Sequence, residues 1–431
     1  MTNSRLNELD AWQAAELLAT RALSAVDLTR ACLDRVNERD AAVQAFVAID
    51  PDAALAQARA LDAGPVRGLL HGLPLGAKDL FDTAELPTAY GSALYAGNRP
   101  AADAAAIALC REAGALLLGK TVTTEFAYFQ PGVTRNPRNL AHTPGGSSSG
   151  SAAAVADCML PLALGTQTAG SIIRPASYCG VVGYKPSHGR VPRAGVKSLS
   201  ESLDTIGGFG RSVRDVALLG AVLTGDARLA KVLDAPAPRI GMCRTLDWSQ
   251  AGLDTQRVFA EATSVLAPLA ANLVNVELPG ELGDLVVLQK AVMTFEMSRA
   301  LSHERVQHRS RLSERLLGLL DEGMTISGAE HAANLARTAA AQRRMDAVFD
   351  AFDGFDVLIS PSATGEAPIG IDATGDPLFC RGWTLLGLPC VHLPFTTGAH
   401  GLPVGLQIVG RFGDDHRMLA IAHWVHQRLT N

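Results

Sequence analysis

The chain has 431 residues, 48% of them hydrophobic and 19% charged, which is enough apolar material for a large core and excludes a disordered protein. A net charge of −5, without clustered Lys and Arg, excludes a general affinity for nucleic-acid backbones. The start MTNSRLNELDAWQ is polar, with no signal-like apolar core, and no later stretch has the apolar length of a membrane span, so a soluble cytoplasmic protein without membrane contact is expected.

Residues 1–63 read as helices, with apolar side chains at three- and four-residue spacing such as Ala14, Leu17, Leu18 and Ala22. They are expected to form a flanking layer. From 72 to 223 the pattern changes: the apolar runs 73–77, 115–118 and 160–164 alternate with Gly/Pro/Ser turns and Ala-rich helical stretches, which predicts α/β layering with buried strands. Residues 285–352 are charged and helix-rich and are expected as an excursion that roofs an active site. Within it Arg305, Arg309, Arg311 and Arg315 interleave with Glu304 and Glu314, a pattern that predicts a solvated face. The segments ISPSATGEAP and TLLGLPCVHLPF then return to strand and turn. With no flexible linker, one α/β domain spanning 1–431 is expected.

The seven cysteines (Cys32, Cys110, Cys158, Cys179, Cys243, Cys380 and Cys390) are odd in number, scattered and without CxxC pairing, which predicts buried free thiols. The eleven histidines form no HExxH or HxH cluster, so no metal site is expected.

The run Thr143-Pro-Gly-Gly-Ser147-Ser-Ser-Gly-Ser151 leads into the Ala-rich stretch 152–156 and admits three readings. A phosphate cradle at a helix N-terminus would suit the free N–H groups, but the GxxxxGK[ST] and GxGxxG patterns are missing. The nucleophile elbow GxSxG is formally present at 146–150, yet the preceding RNPRNLAHTPG is a Pro-broken loop where a buried strand is required. A Gly/Ser linker is the third reading, and the apolar, patterned sequence on both sides opposes it.

Together with GTQTAGSIIRPASYCGVVGYKPSHGRVP downstream and Gly72-Leu-Pro-Leu-Gly-Ala-Lys78-Asp79 upstream, GGSSSGSAAAVA resembles the amidase signature. The similarity runs from about 72 to 218 and resumes in GWTLLGLPCVHLP and GLPVGLQIVGRFGDD. The resemblance implies a large central mixed sheet flanked by helices in a single domain. It also implies that Ser171 is the nucleophile, Ser147 a bridging serine that typically follows a cis peptide bond, and Lys78 the base. No cofactor is implied, and a homodimer is left open.

An exposed lysine is protonated at neutral pH, so Lys78 can act as a base only if burial depresses its pKa. The adjacent Asp79 would oppose this unless it points to the other face of its strand. By resemblance, the backbone N–H groups of Thr168, Ala169, Gly170 and Ser171 form the oxyanion hole. Most relatives have Gly where this chain has Ala169, which is strained there if the position needs a positive φ. Arg174, in the order S-I-I-R-P, is similar to the arginine that binds a substrate carboxylate in malonamidase-like members; an arginine tied to local backbone is the alternative. Tyr128, Phe129, Gln130 and Trp383 are candidates for the acyl pocket, with simple core packing as the alternative for the aromatics.

The expected activity is hydrolysis of a small carboxamide through a serine acyl-enzyme, with a small-molecule amide as partner. Carbamates, urea-like compounds and esters are alternative substrates on the same machinery. An A-type component of an amidotransferase, working on tRNA-linked substrates, is the less favoured reading.

Overall fold

The computed structural model describes residues 3–128, 130–231, 235–351 and 354–430. The chain begins with helices α1 (Ala11–Ala19) and α2 (Ala25–Val43), strand β1 (Phe46–Ile49) and helix α3 (Pro51–Ala63). Side chains cap two of these helices: Ser24 Oγ accepts from Asp27 N at 3.0 Å and Asp50 Oδ1 from Ala53 N at 3.0 Å. Two details depart from the sequence expectation. The first helix stops at Ala19, leaving Ala22 exposed. Residues 46–49 form a strand, not a helix, because the FVAI run pairs antiparallel with a neighbouring strand, with Phe46 opposite Thr121. As a sheet edge it is only partly buried, so its sequence carries no clear alternation.

The next stretch contains β2 (Pro74–Lys78), α4 (Ala105–Glu112), β3 (Leu116–Thr121), α5 (Ser149–Ala156), β4 (Leu162–Gln167), α6 (Ile173–Cys179), β5 (Val182–Lys185), β6 (Thr205–Gly210) and α7 (Val213–Thr224). The three apolar runs of the sequence fall on β2, β3 and β4. These strands lie side by side, β2 parallel to both neighbours, and every residue in them is buried. Burial on both faces is what makes their sequence continuous in apolar character instead of alternating.

The remainder is β7 (Arg239–Cys243), α8 (Leu253–Leu266), β8 (Asn272–Val276), helices α9 (Leu285–Ala300), α10 (Ser302–Gln307), α11 (Glu314–Thr325) and α12 (Gly328–Asp350), β9 (Val357–Pro361), α13 (Leu378–Leu385), β10 (Cys390–Thr397), β11 (Pro403–Val409) and α14 (Asp415–Thr430). Among the described residues, the eleven strands join one mixed sheet in the order β1-β3-β2-β4-β6-β5-β10-β11-β9-β7-β8. The C-terminal ends of β2 and β4 are neighbours in that sheet, and residues there converge where open α/β sheets commonly hold their ligands.

Helices α9 to α12 are bound to the core through polar contacts that the sequence pattern hides. Glu304 does not belong to a solvated face: it is fully buried, and its Oε1 accepts from Tyr95 Oη and Lys197 Nζ, each at 2.5 Å. Arg309, in contrast, pairs with Asp321 at the surface. All seven cysteines are free thiols, six of them buried and Cys158 partly so. Among the described residues no helix is long and apolar enough to cross a membrane.

Helix α5 enters the sheet layer very closely. Gly150 N donates to Val122 O at 3.0 Å, and a Cβ on Gly150 would lie 2.1 Å from Ala45 O and 2.4 Å from Val122 N. Both obstacles are backbone and cannot rotate away. Gly150→Ala is therefore expected to destabilise the protein by about 1–3 kcal/mol, the usual range for overpacking. Thermal unfolding of the purified variant reads this as a lowered midpoint, and an unchanged midpoint would contradict the packing.

Candidate active site

Lys78 ends β2 with its side chain wholly inside the protein. Its Nζ lies 2.7 Å from Ser147 Oγ and 2.8 Å from Thr166 Oγ1, the latter carried by the adjacent strand β4. The peptide bond between Gly146 and Ser147 is cis. Burial holds the Lys78 amine well below its ordinary pKa; the carboxylate of Asp204 acts against this and the guanidinium of Arg174 reinforces it.

Strand alternation resolves the question of Asp79. Its side chain points away from Lys78 and pairs instead with Lys120 at 3.1 Å, while its Oδ2 accepts from Ala89 N at 3.1 Å. Lys120 also donates to Phe81 O at 2.7 Å. The two lysines, 42 positions apart in sequence only because of the crossover between β2 and β3, thus sit in opposite circumstances: one has a counter-ion and the other has hydroxyls.

Residues 168–171 form the turn from β4 into α6. Its shape is set by side chains that reach it from distant segments. Gln167 Oε1 accepts from Ile172 N at 2.9 Å and Ile173 N at 3.0 Å, standing in for a cap on α6. Gln167 Nε2 donates to Thr384 Oγ1 at 2.9 Å, and Thr384 in turn donates to the Ala169 carbonyl at 2.7 Å. The Thr168 carbonyl accepts from Gln289 Nε2 at 2.9 Å, and the Thr168 hydroxyl donates to Asp204 Oδ1 at 2.6 Å. The backbone N–H groups of Ala169, Gly170 and Ser171 have no protein acceptor among the described residues. Ala169 is absent from the residues with positive φ, so alanine is unstrained in this turn.

Ser171 ends the turn, nearly buried, and among the described residues its hydroxyl has no hydrogen-bond partner. One helical turn later, Arg174 Nη2 donates to Gly146 O and Nη1 to Gly375 O, both at 2.5 Å. The arginine therefore ties α6 to the peptide that carries Ser147. Both acceptors are backbone carbonyls of distant segments, 28 and 201 positions away, and not of the local backbone.

The remaining candidates divide. Tyr128 is buried, which pushes its phenol up to about 12. Trp383 is buried in a cluster that includes Tyr128, Ile173 and Cys380. Gln130 is exposed, its carbonyl accepting from Glu125 N at 3.1 Å. Phe129 lies outside the described residues. A cavity of about 420 Å³ opens beside Thr166 and Thr168, with Leu80, Ala127, Lys197 and Asp204 among its lining, but neither Ser147 nor Ser171 lines it. No group of three or more His, Cys, Asp or Glu side chains suited to a metal comes together among the described residues.

Sequence reasoning did not single out Thr166, Gln167, Asp204, Gln289 or Thr384. Gln167 and Thr384 lie inside the quoted signature segments, but Gln289 sits in α9, part of a stretch that reads only as charged and helix-rich.

The chain matches the family model for Amidase over residues 27–419. It is 35% identical to the A-type component of the glutamyl-tRNA(Gln) amidotransferase of Acidothermus cellulolyticus over 95% of this chain and 92% of that protein. A crystal structure of an amidase superposes with a TM-score of 0.88 and 32% identity, covering 97% of this chain and all 100% of the other. A native peptide amidase from Stenotrophomonas maltophilia does so with a TM-score of 0.81 and 29% identity, covering 98% and 97%. Sequence and fold agree over nearly the whole chain, which belongs to the amidase family and is an amidase-signature hydrolase acting on carbon–nitrogen bonds.

Proposed function

We propose that the chain hydrolyses a small carboxamide through an acyl-enzyme on Ser171, with Lys78 as the base and Ser147 as the proton relay. The observation that carries this reading is a buried lysine without a counter-ion whose Nζ is 2.7 Å from the Ser147 hydroxyl. A neutral amine in that position accepts the Ser147 proton, and Ser147 takes the proton of Ser171 as its oxygen attacks the amide carbon. The bond from Arg174 to Gly146 supports the relay, since it ties α6, which directly follows Ser171, to the peptide that carries Ser147.

The attack turns the carbonyl oxygen into an oxyanion, and the N–H groups of Ala169, Gly170 and Ser171, with Thr168 before them, are suited to receive it. Collapse of the tetrahedral adduct breaks the C–N bond, the proton returns through Ser147 to the leaving nitrogen, and water then attacks the ester by the same route in reverse. No cofactor enters the scheme. Carbamates and esters offer the same carbonyl to the same groups. A panel of matched amides, carbamates and esters ranks the three classes, and a carbamate or ester preference would reassign the substrate while leaving the machinery intact.

A second reading has specific support. The 35% identity to the A-type component of an amidotransferase extends over 95% of this chain, which suits an ammonia-releasing role within a tRNA-dependent complex. Glutaminase activity that appears only with a copurifying tRNA-binding partner would favour it over the free-standing hydrolase.

Two outcomes are expected. Ser171→Ala should lower amide turnover by at least about 10³-fold with little change in thermal unfolding, and Ser147→Ala by roughly 10²–10⁴-fold, the range for a lost proton-transfer group. A slowly hydrolysed ester should leave an acyl mass on Ser171 in the parent protein, and an adduct elsewhere would overturn the assignment of the nucleophile.

The second concerns the charge of Lys78. Because its folded pKa is depressed, the unfolded chain binds a proton that the folded one lacks at neutral pH, so the burden of burying it is present near pH 7 and fades as pH rises toward the unfolded value of 10.5. Lys78→Met should therefore raise the unfolding midpoint at pH 7, with the difference from the parent shrinking by pH 10. A lower midpoint of equal size at both pH values would show that the amine is charged in the fold.

A further inference from the structure

We propose that Gln289, braced by Arg381, is a positioning residue for the oxyanion turn, which makes helix α9 part of the catalytic machinery. The inference rests on the reading of Ser171 as nucleophile and of the 168–171 turn as oxyanion donor.

The argument begins with the peptide plane. In a trans peptide the carbonyl of one residue and the N–H of the next point in opposite directions. Whatever holds the Thr168 carbonyl therefore aims the Ala169 N–H, and whatever holds the Ala169 carbonyl aims the Gly170 N–H. The turn is trans throughout, the single cis bond among the described residues being Gly146–Ser147. Thr384, on α13, holds the Ala169 carbonyl at 2.7 Å. Gln289, on α9, holds the Thr168 carbonyl at 2.9 Å. The two donors come from the rear of the turn and leave its N–H groups facing the nucleophile.

Gln289 can do this only with its amide one way round. Its oxygen and nitrogen are nearly the same size, and the reversed amide would set an oxygen against the Thr168 carbonyl. Arg381 decides between them. Its Nη1 donates to Gln289 Oε1 at 2.5 Å, and a guanidinium has donors only, so it accepts no reversed amide. The other end of the amide also touches Met293 Sδ at 3.6 Å, a weak acceptor that again suits NH₂ there. Gln289 is fully buried, so water is not at hand to replace a lost partner. Pro377 and Cys380 press on Gly170, where a Cβ would lie 2.7 Å and 3.1 Å from theirs. Helices α9 and α13 thus clamp the turn from behind, Gln289 joined to α13 through Arg381.

The test uses the intact protein, a neutral amide substrate and a matched peptide-like aldehyde that forms a tetrahedral adduct with a nucleophilic serine. Gln289→Met should lower kcat by about 10–100-fold, in line with misplacing one oxyanion donor, and raise the aldehyde's inhibition constant by a similar factor, while KM stays within about threefold. Gln289→Glu retains the Arg381 pair but opposes a carboxylate oxygen to the Thr168 carbonyl, so it should be at least as impaired as Gln289→Met. Arg381→Met should lower kcat in the same sense, Arg381→Lys should restore much of it, and the double variant Gln289→Met/Arg381→Met should be no worse than Gln289→Met alone.

Full activity in Gln289→Glu, or a loss carried by KM with unchanged aldehyde affinity, would overturn the proposal. Should Gln289→Met fold poorly, the Arg381→Met and Arg381→Lys pair decides it, since equal kcat in both would exclude an amide-orienting role. Failure of the parent protein to form an aldehyde adduct at Ser171 would be a failure of the nucleophile reading instead, so the two are distinguishable.

Discussion

The structure depends on one uncompensated group: a lysine amine buried between two hydroxyls with no carboxylate in contact. Burying a charged ammonium without a partner is far costlier than burying a neutral amine, and the protein's response is to favour the neutral form. Everything around Lys78 serves that condition. Two parallel neighbours flank β2 on both edges and helices α2 and α5 pack against it, the one adjacent carboxylate is turned away to Lys120, and the hydroxyls of Ser147 and Thr166 satisfy the amine without fixing its charge. Asp204 supplies the negative influence that acts against this and is itself engaged by Thr168 and by the backbone of Leu199 and Ser200.

The sheet supplies the rest of the arrangement. β2 delivers Lys78 and β4 delivers Thr166 and the turn to Ser171, so the base and the turn come from neighbouring strands whose relative position is fixed by backbone pairing. Loops and helices then add what strands cannot. The Gly/Ser-rich loop swings Ser147 over the strand ends, and the Arg174 guanidinium binds that loop to α6. Rigid elements set the distances and the glycines permit the close approach, as at Gly150 against the backbone of Ala45 and Val122.

Much of this was legible in the sequence, and the reasons differ from part to part. The strands β2, β3 and β4 were visible because double burial leaves uninterrupted apolar runs, whereas β1 was not, because an edge strand of four residues amid helices carries too little pattern. Lys78, Ser147 and Ser171 were found jointly through their motifs, since each alone is an ordinary residue. Asp79 looked like an obstacle in one dimension and is none in three, because alternate strand residues face opposite ways. Glu304 was misread for the opposite reason: its neighbours are surface arginines, but its partners Tyr95 and Lys197 are more than a hundred residues distant. Gln289 and Arg381 were silent in the sequence, as a hydrogen-bonded brace between two helices leaves no spacing to detect.

The central claim is that a neutral Lys78 draws the proton from Ser171 through Ser147. Its most direct measurement is the pH dependence of Ser171 sulfonylation by an uncharged sulfonyl fluoride, which reads the nucleophile without substrate binding or product release. The account predicts that the rate rises with deprotonation of one group whose pKa lies well below the ordinary lysine value of 10.5, and that this limb disappears in Lys78→Met. A rate that climbs only near 10.5, or an identical profile in Lys78→Met, would contradict it.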